Sequence, residues 1–490
     1  MEVLGQNIQL VVSFISGHLV FINLILAVII IFFQRKDPKS VWAWLLILYF
    51  IPVLGFIFYL LIGTDMHKAK LFRTKEIEDK LSDAIRKQES IIRNRELADV
   101  YPEMAGYSDL VLYHLQVSGA ILTDDNDVRF FVDGRKKFEA LIEDLEQAKE
   151  SIHIQYYIIK DDEVFGAIKE VLLQKVAQGV EVRILFDAMG CRNVKKAEWK
   201  RLKELGIETA EFFPAILGRL QLRINYRNHR KIVVIDGKIG YVGGFNIARE
   251  YVGADPKFGY WRDTHMRITG SAVSALQSRF ILDWNYANRG HAIAFDKYLG
   301  DPEIGPELKC PVQIVTSGPD THDQNIRDTY LRLINKAQKS IYIQTPYFIP
   351  DEPIFTALLM AARSGIEVNI MIPCKPDHPF VYWATYSYVG DLVLAGANCY
   401  TYDNGFLHAK GLVVDEMVLS YGTANMDIRS FALNFEVNAI VYDRRKAEEM
   451  VGYFREDLKV SRQITKNIYL SRSLWIRVKE QVCRLLSPLL

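Results

Sequence analysis

Residues 228–246 read NHRKIVVIDGKIGYVGGFN, and residues 408–425 read HAKGLVVDEMVLSYGTAN. Each stretch sets a His and a Lys two residues apart, then four mostly apolar residues, then an Asp. An Asn follows each His by 17 residues: Asn246 after His229, Asn425 after His408. Strand side chains alternate with a period of two, so His229 and Lys231 share one face of an extended segment, as do His408 and Lys410. The runs IVVI and GLVV have the continuous apolar character of strands buried on both sides. A lone H-x-K is usually an ordinary surface His and Lys. The full H-x-K-x4-D element occurring twice, with Asn at the same distance each time, is poorly explained by chance.

The repeat extends in both directions. SIHIQYYII at 151–159 matches SIYIQTPYFI at 340–349, and VLLQKVAQGVEVRILF at 171–186 matches ALLMAARSGIEVNIMI at 357–372. LGIETAEFF at 205–213 loosely matches AGANCYTYD at 395–403. A β-rich run, a helix-period stretch closed by Gly and another strand predict an α/β layered fold built as two halves, 111–298 and 299–470. The first half carries 11 extra residues between Gly206 and His229. There Leu217 and Leu220 interleave with Arg219, Arg223 and Arg227. Beside a membrane, the apolar groups enter the interface while Arg meets lipid phosphates. The plainer reading is a strand with an exposed basic face.

The N-terminus has a different character. Residues 8–33 contain no charge except on His18, and residues 41–62 contain none. Each run is long enough to cross a hydrocarbon core, which takes about 20 residues. A signal peptide fits poorly, since no Lys or Arg precedes the first run. Residues 1–63 therefore read as a transmembrane hairpin and 64–110 as an amphipathic linker. The intervening loop holds three basic residues and the stretch after the second span five, which favours a cytoplasmic catalytic domain. The final segment, 471–490, is amphipathic at helical spacing and reads either as a helix docked on the protein or as an interfacial membrane helix.

Lys+Arg 60 against Asp+Glu 59 leaves a net charge of +1 over 490 residues, which argues against a nucleic-acid binder. The five Cys form no C-x-x-C pair, so they read as reduced thiols and not as a zinc site or disulfide frame.

Each half supplies an acid downstream, Asp263 in WRDTHMRI and Glu436 in NFEVNAIV. A carboxylate on one imidazole nitrogen fixes the tautomer and orientation of the other. Two His, two Lys and two Asn meeting in one cleft suit a phosphodiester anion, with cations and amide donors around its non-bridging oxygens. One neutral His can attack phosphorus while a protonated partner donates to the leaving alkoxide. No cofactor or metal is needed. Gly243 and Gly244 precede the first Asn; Gly422 and Thr423 precede the second, so only the second half offers a hydroxyl to the phosphate. Asp236 and Asp415 complete the repeated element and are grouped with the catalytic residues, although a position after buried strand also suits an anchor. His153, His265, His291, His322 and His378 have no partner pattern and read as structural or exposed.

These residues resemble the phospholipase D superfamily, whose hallmark is the paired motif. WAWLLILYFIPVLGFIFYLLIG, NYRNHRKIVVIDG, GGFNIAREYVG, WRDTHMRI, SIYIQTPYFIPD and the ending LSPLL are similar to the bacterial cardiolipin synthase branch over nearly the whole chain. The resemblance implies a multi-pass protein of the bacterial membrane that joins two phosphatidylglycerols into cardiolipin and free glycerol. Carried over by position, His229 would be the nucleophile and His408 the acid and then base, although the internal symmetry permits the reverse. Lys231, Lys410, Asn246 and Asn425 would hold phosphate, with Asp263 and Glu436 orienting the imidazoles. Its partners would be phosphatidylglycerol and other anionic membrane lipids, and a homo-oligomer is compatible with the sequence. A hydrolytic phospholipase D, a phosphatidyltransferase using another alcohol and a non-enzymatic membrane scaffold are the competing functions.

Overall fold

The computed structural model describes residues 101–214, 226–299, 310–321, 323–375 and 377–487. Of the first hundred residues it describes 21, 23–28, 30, 31, 38–51, 53, 55, 59, 75–94 and 99. The chain divides into two compact units, Met1–Ala69 with Ala215–Tyr226, and Lys70–Pro214 with Arg227–Leu490. In the first, helix Pro38–Phe50 buries Leu48 with Ile30 and Tyr59, and Trp44 meets Tyr59 edge-on at 5.2 Å. No helix among the described residues is long and apolar enough to cross a membrane. Most of the expected first span, 8–33, and the smaller part of the second, 41–62, lie outside those residues.

The second unit contains two sheets with the same plan. The first has strands β1 (Asp127–Asp133), β2 (Ser151–Tyr156), β3 (Glu181–Asp187), β4 (Glu208–Phe212), β5 (Ile232–Ile235), β6 (Ile239–Gly243) and β7 (Trp261–Thr269). The second has β8 (Val312–Ser317), β9 (Ser340–Gln344), β10 (Glu367–Pro373), β11 (Asn398–Tyr402), β12 (Gly411–Val414), β13 (Val418–Gly422) and β14 (Asn434–Val441). Their spatial orders are β1-β7-β6-β5-β2-β3-β4 and β8-β14-β13-β12-β9-β10-β11. In both, the β2-β3-β4 type strands run parallel and the remaining pairs antiparallel. The parallel steps need helical crossovers, and the sequence marks their ends. Asp162 caps helix Glu163–Ala177 through the N–H groups of Val164 and Phe165, and Asp351 caps Glu352–Arg363 through that of Ile354. Gly179 and Gly365 take φ of 90° and 87° just past those helices, a left-handed turn that favours glycine.

Burial follows the pleat. Val233 and Ile235 of β5 pack outward against helices Gly134–Glu146 and Glu163–Ala177. Ile232 and Val234 pack inward into a core shared with Val413, Leu419, Val437 and Ala439 of the other half. IVVI is therefore apolar throughout because both of its faces are covered.

One boundary differs from the sequence expectation. Helix Ser108–Ser118 buries Leu110, Val111 and Leu115 in the second half's outer core. Leu122–Thr123 then pairs with β8. Residues 108–123 thus build onto the second sheet although they precede the first in sequence.

Two short strands tie the halves together reciprocally. Arg227–Asn228 pairs with the start of β14, and the His229 N–H donates to Phe435 O at 3.0 Å. Phe406–Leu407 pairs with the start of β7, and the His408 N–H donates to Arg262 O at 2.7 Å. Each motif histidine therefore lies beside the acid-bearing strand of the opposite half.

Candidate active site

That backbone pairing sets which carboxylate meets which imidazole. His229 Nδ1 lies 2.9 and 3.0 Å from the two Glu436 carboxylate oxygens. His408 Nδ1 lies 2.6 Å from Asp263 Oδ2. Both acids are fully buried, and neither belongs to the half that supplies its histidine. A buried carboxylate on Nδ1 selects the tautomer with its proton there, leaving Nε2 as the nitrogen for chemistry. Aromatic rings wall the pair: Tyr157 stands 4.9 Å from the His229 ring, Trp261 5.1 Å and Tyr251 5.9 Å from that of His408.

The lysines are buried between these groups. Lys231 Nζ donates to the His229 carbonyl at 2.7 Å, and Lys410 Nζ donates to the His408 carbonyl. Burial pushes Lys231 well below an ordinary amine and Lys410 down to about 8. Glu436 and Asp263 act on both ammonium groups. Burial also lowers His229, with Lys231 and Lys410 adding to it, and takes His408 down to about 4, with Lys410 and Lys231 adding to it. Burial raises Asp263, but Lys410 and His408 bring it below the usual carboxylate range; His229 and Lys231 do the same for Glu436. Charges from both halves thus act at one place. Burial outweighs the two carboxylates, so the protons on these cations are held weakly.

Asn246 donates to the Tyr251 hydroxyl at 2.7 Å and accepts from Ile158 N at 3.1 Å, so its amide is held rigidly. Asn425 Oδ1 is buried without a hydrogen-bond partner. The Thr423 hydroxyl is already engaged, donating to Val437 O at 3.2 Å and accepting from Val437 N at 2.9 Å, with Glu436 also in reach. This corrects the expectation that Thr423 offers a free hydroxyl to phosphate. The matching position in the first half is Gly244, where a Cβ would run into the Asp263 carboxylate.

Asp236 and Asp415 are also corrected. They lie at the far ends of β5 and β12 from the histidines, with φ of 53° and 54°. The Asp236 carboxylate accepts the N–H groups of Lys149, Glu150 and Ser151, each at 2.8 Å. Asp415 does the same for Gln338, Lys339 and Ser340 at 2.7–2.9 Å. Both clamp the chain entering the next strand, and their bonding capacity is largely spent there. Arg227, grouped with the membrane contacts, is buried beside Asp187 at 3.9 Å, which removes it from any lipid surface. Leu217, Arg219, Leu220 and Arg223 lie outside the described residues.

Two buried arginines escaped the sequence reading. Arg230, between the first His and Lys, makes two bonds to Asp283 at 2.9 and 2.8 Å and donates to Glu436 O at 3.1 Å. Arg262, just before Asp263, binds Asp457 at 3.0 and 2.9 Å and donates to Asp263 O at 2.7 Å. Gln155 reaches Asp283 at 2.6 Å, and Gln344 reaches Asp457 at 2.8 Å. Each guanidinium therefore grips the backbone of one imidazole-orienting acid. The signal available in sequence was the matched Gln of the two HIQ and YIQ strands; the arginines occupy non-equivalent positions.

The family model described as "Cardiolipin synthase, PLD-like domain" matches residues 141–271 and 330–458. A second, "Phospholipase_D-nuclease N-terminal", matches 21–63. The chain is 50% identical over 491 residues to the major cardiolipin synthase ClsA of Bacillus subtilis (strain 168), covering 98% of this chain and 100% of that one. It is 48% identical over 487 residues to a cardiolipin synthase of Staphylococcus aureus (strain Mu50), covering 99% and 98%. It is 47% identical over 481 residues to a cardiolipin synthase of Oceanobacillus iheyensis, covering 98% and 100%. Among solved structures, the phosphatidylserine synthase of Haemophilus influenzae Rd KW20 superposes with a TM-score of 0.57 over 74% of this chain and 95% of that one, at 14% identity, a likeness of fold.

Proposed function

Since the chain belongs to the cardiolipin synthase family of phospholipase D-like proteins, we infer that it transfers a phosphatidyl group from one phosphatidylglycerol to a second, giving cardiolipin and glycerol. The reading is carried by the crossed imidazole–carboxylate pairs, which present two activated nitrogens to one cationic site.

In the first step, His229 Nε2 attacks phosphorus. The P–N bond forms as the bond from phosphorus to the headgroup glycerol breaks, and His408 gives its proton to the departing oxygen. Glu436 compensates the positive charge that grows on His229. In the second step, a glycerol hydroxyl of another phosphatidylglycerol attacks the same phosphorus. His408 takes that proton, the P–N bond breaks, and both histidines return to their starting states. Lys231, Lys410, Asn246 and Asn425 hold the non-bridging oxygens throughout. The low proton affinity that burial gives His408 does not oppose this scheme. A bound phosphodiester anion favours the protonated forms of His408 and Lys410 against that burial.

Residues 8–33 and 41–62 form a membrane hairpin in this reading, keeping the catalytic unit beside its lipid substrates on the cytoplasmic side. The family match at 21–63 supports an N-terminal module there. We assign Leu217, Leu220, Arg219 and Arg223 to the headgroup layer on their apolar–Arg sequence pattern.

The test is purified full-length protein in phosphatidylglycerol vesicles without added metal or nucleotide. Glycerol release matched by a four-chain lipid is expected. Phosphatidic acid as sole product would make it a hydrolase, and neither product from folded protein would make it a scaffold.

A further inference from the structure

The C-terminal helix docks through a mixed side, with Cys483 packed beside Ile349 and Ala384 and polar groups around it. In helix Leu474–Leu485, Glu480 is buried against Arg472 at 2.8 Å. Arg484 reaches Asp391 at 2.6 Å and Ser387 at 3.2 Å on helix Pro379–Ala395. The opposite side leaves Leu474, Trp475, Val478, Val482 and Leu485 exposed by 77%, 68%, 42%, 51% and 82%. At about 100° per residue these five share one arc, flanked by Lys479, which sits 5.3 Å from the Trp383 ring, and by Arg477, which donates to Leu470 O at 2.7 Å and keeps further N–H groups. A helix packed on its own protein normally turns its apolar stripe to the core. Here ion pairs inside the fold take up the charges, and no described residue covers the stripe.

We propose that this helix face rests in the interface of a bilayer containing anionic phosphatidylglycerol, as a second membrane contact separate from the N-terminal segment. The inference rests on the reaction proposed above. An apolar arc with one Trp and a basic flank on each side fits an anionic lipid surface: the aliphatic groups enter the acyl boundary while Lys479 and Arg477 meet phosphates. A second copy of the chain fits less well, because a symmetric contact would set the basic flanks against each other. The supporting helix also adjoins the chemistry. Its Tyr382 and Thr385 line a small cleft with Tyr347 and Asp377, and the Asp377 charge acts on Lys410.

The experiment uses full-length protein carrying Cys374→Ser, which removes the one native thiol that is not buried, and an environment-sensitive fluorophore on Val478→Cys. In phosphatidylglycerol vesicles, lipids spin-labelled near the headgroup should quench the fluorophore roughly twofold or more. No quenching overturns the proposal, and self-transfer between labels without lipid quenching replaces the bilayer with a second copy. Val478→Asp should slow turnover on vesicles about tenfold while staying within about twofold of the parent in detergent micelles holding the same lipid. An equal loss in both settings marks a structural defect and overturns it. Wild-type protein that makes no cardiolipin in micelles would count against the proposed reaction alone, because quenching is read independently.

Discussion

Between its motif His and Lys the first half has Arg230, whereas the second has Ala409. Both halves nevertheless keep the strand Gln and the helix Asp that would receive a guanidinium: Gln155 with Asp283, and Gln344 with Asp457. The second half's Asp457 is neutralised by Arg262, which the first half supplies. Backbone order and imidazole–acid pairs thus repeat faithfully, while charge compensation does not. The second half holds a buried carboxylate that its own half leaves uncompensated, and this makes its core dependent on its neighbour. Gly244 against Thr423 is the same lesson at smaller scale. The Gly leaves room for the Asp263 carboxylate, and the Thr hydroxyl adds a bond near Glu436.

The largest effects should come from breaking the division of labour between the imidazoles. His229→Ala and His408→Ala should each lower cardiolipin formation by about 10³-fold or more, measured as glycerol release. A phosphatidyl substrate whose leaving group is p-nitrophenolate needs no proton, so it should restore most of the first-step rate to His408→Ala and none to His229→Ala. The orienting acids should follow their crossed partners. Glu436→Gln should behave as a weak His229 defect, and Asp263→Asn as a weak His408 defect rescued by the same substrate. If rescue instead followed the acid of the histidine's own half, the crossed pairing would be broken as a functional description.

Next comes the dependence of the second half on Arg262. Replacing it with Met removes the cation from a buried pair and should cost about 3–5 kcal/mol of stability, read from chemical unfolding. Arg262→Met combined with Asp457→Leu should regain much of that loss, since an apolar pair of similar size often replaces a buried ion pair without penalty. If the double replacement proved as unstable as the single one, Arg262 would owe its importance to its bond with the Asp263 carbonyl.

How much of this was legible in the sequence follows from the range of the forces involved. The two halves, their strands and the His–Lys–Asn sets were readable because side-chain period and spacing are local properties. Asp236 and Asp415 were misplaced because the spacing shows a carboxylate after a strand, not which end of that strand carries the chemistry. Thr423 was misread because its hydroxyl is taken by Val437, 14 residues away. Arg227 was read as a lipid contact from its neighbours in an apolar–Arg run, and only the fold reveals Asp187 beside it. The crossed acid pairing and the Arg262–Asp457 clamp join residues more than 140 apart, and no periodicity encodes them.

A milder probe is pH. Burial holds Lys410 down to about 8 and His408 to about 4. A bound phosphodiester anion favours both charged forms, so binding takes up protons and affinity must fall as pH rises. Above pH 8 the neutral form of Lys410 dominates the empty site, and the affinity for a non-reactive phosphonate analogue should fall by up to about tenfold per pH unit. Calorimetry in buffers of differing ionisation enthalpy would show the uptake, and Lys410→Met should reduce it above pH 8. Binding without proton uptake there would mean that both lysines stay charged in the empty site.

The smallest difference lies in the turns that follow β5 and β12. Gly237 in the first has φ of 66°, and Glu416 at the matching place in the second has φ of 54°. A side chain in the left-handed region costs roughly 1–2 kcal/mol, so Gly237→Ala should destabilise by about 1 kcal/mol. Glu416→Gly relieves the same cost, but the greater freedom of Gly in the unfolded chain takes back about 0.5–1 kcal/mol. It also removes the exposed contact with Arg455 at 2.7 Å, in a class worth roughly 0–1 kcal/mol. The terms nearly cancel, so Glu416→Gly should shift the unfolding midpoint little while Gly237→Ala lowers it measurably. Equal shifts at both turns would show that the second half tolerates its strained residue for a reason other than the Arg455 pair.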